Sequence, residues 1–304
     1  MAANKEIVGS VVGFAYYKQG FPGCFEGDKK EECLTDARPQ ILVTNDDGAD
    51  SPILVPMLRA LSPLTQICTV VPAAECSWTS KIVSRFAPLD LAEIDREGFA
   101  VQTVAGYPAD CANIGIHNLC PTPPALVVSG INMGTNAGLA FALSSGTIGA
   151  AVEGFLSGVP AAAFSLELPK AAFALWRRER LVDPALVGLM DEAAAVTAEI
   201  VGELLRGGLP EGADMVTVNM PASTSTETPR RLTGMARSQY GGLFTRHESE
   251  SQFAYAGCEL LPVGDKADSD LLALAQGEIA ITPLRYVLGA PVGAADRRRF
   301  ERGI

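Results

Sequence analysis

"ILVTNDDGADSPIL" (residues 41–54) opens with a short run of strand type, passes through an amide, two adjacent carboxylates and a glycine, and runs on into a second apolar stretch. That second stretch, ILVPMLRALS from Ile53, repeats its apolar positions at helical spacing, with Pro56 near the start, where proline is tolerated. A strand that turns sharply into a helix is the opening unit of an α/β sheet.

The unit recurs along the chain. ICTVVPA reads as a strand followed by a polar loop to Ser84, and FAVQTVAG from Phe99 is β-like. ADCANIGIHNL from Ala109 reads as a helix, PALVVSG from Pro124 as a buried strand, GTIGAAVEGFLSG from Gly146 as a helix and PAAAFSLEL from Pro160 as a strand. A helical region over residues 184–205 leads into DMVTVNMP, a further strand. Alternating strands and helices predict a Rossmann-like three-layer α/β fold, a parallel sheet with helices on both faces. After Pro229 the β-like pieces RLTGMARSQYGGLF and SQFAYAGCELLP predict a C-terminal β-hairpin extension, and GEIAITPLRYVL from Gly277 returns as a late strand. The expected organisation is an N-terminal extension (1–39), a main domain (40–290) with projecting hairpins at 229–262 suited to subunit contact, and a solvated basic tail (291–304).

Composition narrows the function. A net charge of −11 over 304 residues argues against a nucleic-acid polymer as partner, since such polymers are held by basic side chains along the backbone. No Asp, Glu, Lys or Arg occurs over residues 111–152, but Asn132, Asn136, Ser144, Ser145 and several Gly and Pro interrupt that stretch, so a buried sheet and helix are expected, with no membrane span. The seven cysteines lack zinc-site spacing and read as reduced thiols of a cytoplasmic protein. Cys24 and Cys33 alone are placed to close a small loop if the chain were exported. No signal peptide is read at the N-terminus.

In a parallel α/β sheet, ligands gather outside the carboxyl ends of the strands. Here the first strand ends in Asn45, Asp46, Asp47 and Gly48; the second is followed by Ser77; the third ends in Ser129, Asn132 and Asn136; and the next helix opens with Ser144–Thr147. Each piece has a plain explanation as a turn, loop or helix cap. Their coincidence at consecutive strand ends does not. Two neighbouring carboxylates are costly to bury without a cation, and Ser77 and Asn132 add neutral oxygen donors. An all-oxygen set selects Mg²⁺ or Mn²⁺ first, with Ca²⁺ next, over structural zinc. The helix start offers N–H groups and hydroxyls to a phosphate.

The motifs ILVTNDDG, VVPAAECSWTS, YPADCANIG, VVSGINMGTN, SSGTIGAAVEG, VNMP and GEIAITPL, in this order, resemble the SurE survival-protein family of metal-dependent phosphatases over residues 40–290. The resemblance implies one divalent metal ion, 5′/3′-nucleotidase or acid phosphatase activity on nucleoside monophosphates, and a homodimer or homotetramer. Carried over motif by motif, it implies Asp46, Asp47, Ser77 and Asn132 as metal ligands, with Asp46 and Asp47 also catalytic. It implies Asn45, Asn136, Ser145, Gly146 and Thr147 as the phosphate-binding set. The chain departs from the family pattern at Ala73–Cys76, where Asp, Arg and Asn are common, and at Trp78, where glycine is usual. AGLAFALS is also about one residue longer than its counterpart, so Ser144 stands beside Ser145 as a candidate.

The expected chemistry is hydrolysis of a phosphate monoester by metal-activated water, with an aspartyl-phosphate at Asp46 as the alternative route. His117 and His247 have no partner motif and are expected to be structural, which leaves the leaving-group acid unassigned. The adjacency of Asp46 and Asp47 disfavours a haloacid-dehalogenase-like enzyme, whose two aspartates stand two positions apart. A dinucleotide oxidoreductase lacks its glycine fingerprint here. A non-catalytic metal-dependent nucleotide-binding or scaffold protein is the remaining alternative, motivated by the altered loop before Ser77.

Overall fold

The computed structural model describes residues 38–179, 183–247, 251–264, 267–286 and 289–302. Nearly all of the expected N-terminal extension, with Cys24 and Cys33, lies outside the described residues. In chain order the elements are β1 (Gln40–Thr44), α1 (Leu54–Leu61), β2 (Gln66–Pro72), β3 (Leu91–Arg96), β4 (Phe99–Val104), α2 (Pro108–Ile114) and β5 (Leu126–Met133). They continue with α3 (Leu139–Ser144), α4 (Gly146–Leu156), β6 (Ala161–Leu166), α5 (Lys170–Glu179), α6 (Val187–Gly207), β7 (Met215–Met220) and β8 (Arg230–Leu232). The last are β9 (Ser238–Tyr240), β10 (Phe244–Arg246), β11 (Phe253–Tyr255), β12 (Leu260–Pro262), α7 (Asp270–Ala275), β13 (Ile279–Leu284) and α8 (Ala294–Phe300).

Nine strands form one sheet in the order β3-β4-β2-β1-β5-β6-β7-β13-β8. The central pairs β2–β1, β1–β5, β5–β6 and β6–β7 are parallel. Only β3 against β4 and β13 against β7 are antiparallel. Central parallel strands are covered on both faces and so read as continuous apolar runs, which is how β1, β6 and β7 are composed; every residue in them is buried.

The two faces separate residue by residue. Ile41 and Val43 of β1 join a core layer with Leu54 and Leu58 of α1 and Ala194 and Val201 of α6. Leu42 between them joins a second layer with Ile148 and Ala151 of α4 and Cys111 of α2. Burial of these side chains, at about 25 cal/mol per Å² of apolar surface, is the main force holding the three layers together.

The structure adds five elements that the pattern does not announce, β3, α3, α5, α7 and α8, the last within the expected tail. Of the segment after Pro229, β8 completes the edge of the main sheet beside β13, while β9 pairs with β12 and β10 with β11 in two small antiparallel ladders. No helix among the described residues is long and apolar enough to cross a membrane. Cys68, Cys76, Cys111, Cys120 and Cys258 are free thiols.

Candidate active site

β1 ends at Thr44, and the next residues fold back at once. Asn45 closes an Asx-type turn from both ends of its amide, Nδ2 donating to Gly48 O (2.9 Å) and Oδ1 accepting from Gly48 N–H (3.0 Å). Gly48 has φ +83°, a conformation glycine takes without penalty. The Asn45 side chain is thus spent on shaping the turn that presents Asp46 and Asp47. Both carboxylates are buried, Asp46 to 3% and Asp47 to 9% exposure.

Asp46 Oδ1 accepts from Thr147 Oγ1 (2.8 Å), and Asp47 Oδ2 accepts from Met133 N–H (3.2 Å). Burial pushes the Asp46 carboxyl up to about 6; the Thr147 hydrogen bond pulls the other way, and Glu75 adds a smaller upward push. Gly146 lets α4 begin directly against this turn, because a Cβ there would lie 3.0 Å from Asp46 Cβ, Cys76 O and Thr79 Oγ1. Ser145, not Ser144, caps α4: its Oγ accepts from Ile148 N–H (3.1 Å). Ser144 closes α3 instead, its hydroxyl donating to Ala140 O (3.0 Å).

A polar rung crosses the carboxyl ends of three strands, with Asn132 of β5 in register with Ser165 of β6 and Ser165 with Asn219 of β7. Asn136 spans this rung: its Nδ2 donates to Ser165 Oγ (2.9 Å) and its backbone N–H to Asn219 Oδ1 (2.9 Å). Asn132 Nδ2 donates to Gly134 O (2.7 Å), so the amide oxygen is the end left to face a ligand. Ser129, another candidate from the pattern, is fully buried, and its hydroxyl donates to Thr147 O (2.7 Å); its work is structural.

Asp46, Asp47, Ser77, Asn132, Asn136 and Ser145 line one cavity of about 810 Å³. Gly146 and Thr147 follow Ser145 in the first turn of α4 and are buried. The cavity's charged lining groups are Asp46, Asp47, Glu75 and Glu167 against Lys170, a field that repels a phosphate unless a cation enters. Two adjacent buried carboxylates, the Asn132 amide oxygen and the Ser77 hydroxyl form an oxygen-only donor set, which fits a hard divalent ion. His117 and His247 are both exposed and neither lines the cavity. Asn219, Ser165 and Asp270 escaped the sequence reading. Ser165 was signalled as a lone polar residue late in an apolar strand, Asn219 as an amide at the end of another, and Asp270 by nothing local.

An α/β sheet whose strand ends gather buried carboxylates and amides beside a capped helix start belongs to the class of folds that hold anionic ligands at the carboxyl ends of their strands. The chain belongs to the SurE family: residues 41–242 match the family profile described as survival protein SurE. It is similar to the 5′-nucleotidase SurE of Methanocella arvoryzae, 33% identical over 86% of this chain and 98% of the relative. A second relative, the 5′-nucleotidase SurE of Archaeoglobus fulgidus, is 34% identical over 83% of this chain and 94% of its own length. The crystal structure of SurE protein from Aquifex aeolicus superposes with a TM-score of 0.65 at 26% identity, covering 86% of this chain and 97% of that one.

Proposed function

We propose that Asp46 and Asp47, with Ser77 and Asn132, hold one divalent cation, and that Asn136, Ser145 and the helix-start N–H groups of Gly146 and Thr147 receive a phosphoryl group. The chain is a divalent-metal-dependent phosphoric monoester hydrolase of the 5′-nucleotidase type. Its substrates in this reading are nucleoside 5′- and 3′-monophosphates, and its metal is Mg²⁺ or Mn²⁺, with Ca²⁺ next.

The observation that carries the reading is the pair of adjacent buried carboxylates, one of them pushed toward neutrality by burial, at the mouth of a helix start. When bound, a divalent ion neutralises a phosphoryl oxygen and acidifies a water. The residues of the chain do the rest. Thr147 fixes the Asp46 carboxylate, the group placed to accept the proton of the attacking water. Asn136, clamped by Ser165 and Asn219, keeps the phosphate wall rigid. The Asn45 turn sets the angle at which both aspartates enter the cavity.

We also assign the exposed apolar side of the 229–262 segment, with Phe244 and Phe253 each 61% exposed, to subunit contact in a homodimer or homotetramer. Residues 40–290 form the catalytic domain, 1–39 an extension and 291–304 a tail. Reduced thiols suit a cytoplasmic location.

The test is phosphate release from nucleoside monophosphates and p-nitrophenyl phosphate with Mg²⁺ or Mn²⁺, then with chelator. Asp46→Asn is expected to lower turnover by about 10²-fold or more while the protein stays folded. Release that ignores chelator, or an Asp46→Asn enzyme as fast as the wild type, overturns the assignment. Manganese binding with no turnover supports a scaffold instead.

A further inference from the structure

Resting on the reading of this cavity as a phosphatase site, we propose that Trp78 is a specificity-determining residue that selects phosphate esters with a flat aromatic leaving group, by stacking that ring on its indole.

Trp78 follows Ser77 directly, so the loop that offers a metal ligand also aims the indole. That loop is pinned at both ends: Cys76 N–H donates to Asp46 O (2.7 Å) and Ser80 N–H to Ser144 O (3.0 Å). Within it Thr79 Oγ1 donates to Cys76 O (2.7 Å). Gly149 of α4 meets the loop so closely that a Cβ there would lie 2.0 Å from Ser80 O. Trp78 therefore has little freedom to swing away.

Its backbone adopts φ +61°, a left-handed conformation that is unfavourable for a bulky residue and that the glycine usual at this place in the family motif takes freely. Strain of this kind persists where the surroundings over-determine it. They do so here: the indole packs edge-to-face against Phe141 (6.0 Å, 79°), Tyr240 (5.8 Å, 67°) and Tyr255 (6.1 Å, 64°), which come from α3, β9 and β11. In spite of these three contacts Trp78 is 44% exposed and lines the cavity with Phe141 and Tyr255.

The cavity is thus divided by chemistry. Its floor, at the strand ends, is polar and suits a phosphoryl group; its rim over Trp78 is aromatic and suits the group that departs. Stacking on an aromatic side chain is tolerant of which base or aryl ring it meets, because every such ring has a π face. A sugar phosphate or a short aliphatic ester has no ring to place there. The contrast between a nucleoside monophosphate and its base-free sugar phosphate therefore isolates what Trp78 contributes.

The experiment compares kcat/KM for AMP and for ribose 5-phosphate, with the same metal, in the wild type, Trp78→Ala and Trp78→Phe. The AMP to ribose 5-phosphate ratio is expected to fall about tenfold in Trp78→Ala, the size of one lost base–aromatic stack, and to recover by more than half on a logarithmic scale in Trp78→Phe. A ratio that stays within about twofold in Trp78→Ala, with both rates falling together, overturns the proposal and makes Trp78 a structural staple.

A binding measurement separates this from failure of the hydrolase reading. Because Trp176 lines the same cavity, the measurement is made in a Trp176→Phe background, where Trp78 is the one indole left: AMP is expected to quench its emission in the metal-loaded protein, and ribose 5-phosphate is not. Quenching without phosphate release sinks the hydrolase reading and keeps the Trp78 subsite. Equal quenching by AMP and ribose 5-phosphate in that background, or none by either, sinks the subsite whatever the turnover.

Discussion

The hydroxyl of Thr147 donates a 2.8 Å hydrogen bond to Asp46 Oδ1 across 101 residues of sequence, tying the first turn of α4 to the turn that follows β1. The bond restrains but does not cancel the effect of burial, which moves the Asp46 carboxyl from 3.8 to about 6. An acid with a raised folded-state pKa binds more protons folded than unfolded, so stability falls as pH rises from about 4 through about 6 and stays lower above. The shift corresponds to about 3 kcal/mol at neutral pH in metal-free protein.

Metal-free Asp46→Asn is therefore expected to be more stable than metal-free wild type at pH 7.5, by up to about 3 kcal/mol, with the gap closing near pH 3.5. Urea unfolding in the presence of chelator at the two pH values measures this. Added Mn²⁺ raises wild-type stability by about 2.7 kcal/mol at a hundredfold excess over its Kd, and leaves the variant unmoved. A variant no more stable than wild type at pH 7.5 contradicts the burial argument.

Asn132 presents its oxygen because its nitrogen is committed to Gly134 O. Asn132→Leu keeps most of the volume and removes the donor atom. Calorimetric titration with Mn²⁺ is expected to show at least about a tenfold loss of affinity with the melting temperature of the metal-free protein lowered only slightly. Unchanged affinity removes Asn132 from the ligand set.

Legibility followed solvent exposure. β1, β6 and β7 stood out because burial on both faces leaves them apolar in the main and without a charged residue, and the helix of α4 stood out because SSGT marks its cap. β3, LAEIDR, was hidden because it is an edge strand with charged residues on its open side, and a six-residue helix such as α3 shows too little period to register. The aspartate turn was legible from turn chemistry alone. The packing of Trp78 against Phe141, Tyr240 and Tyr255 was not, because it joins three distant segments that only the sheet topology brings together. The division of labour between Ser144 and Ser145 needed the boundary between α3 and α4.

Asn219 is fully buried and accepts from both the Asn136 N–H (2.9 Å) and Thr135 Oγ1 (3.2 Å). Asn219→Leu suits a buried strand but strips the phosphate loop of its acceptor, leaving a buried N–H unpaired at a cost of about 1–3 kcal/mol. Turnover of a nucleoside monophosphate is expected to fall about tenfold in kcat/KM, while Mn²⁺ affinity stays near that of the wild type. An equal loss in metal affinity points to a collapse of the whole cavity instead of the loop.

Asp270, fully buried on α7, holds the other end of that loop, and its two oxygens have separate duties. Oδ2 accepts from Gly138 N–H (2.8 Å), just after the Thr135–Asn136 segment, while Oδ1 accepts from Ala236 N–H (2.9 Å) and Leu271 N–H (2.8 Å). Asp270→Asn can keep the Oδ1 pair, but its new NH₂ then faces the Gly138 N–H, donor against donor. Asp270→Ala releases all three groups. Stability measured by urea unfolding is expected to fall by about 1–3 kcal/mol in the Asn variant and by more in the Ala variant. The Asn variant, whose injury is confined to the phosphate loop, is expected to raise KM for a nucleoside monophosphate severalfold with Mn²⁺ affinity near wild type. Equal stability of the two variants, or an Asn variant with unchanged KM, contradicts the split between the two oxygens.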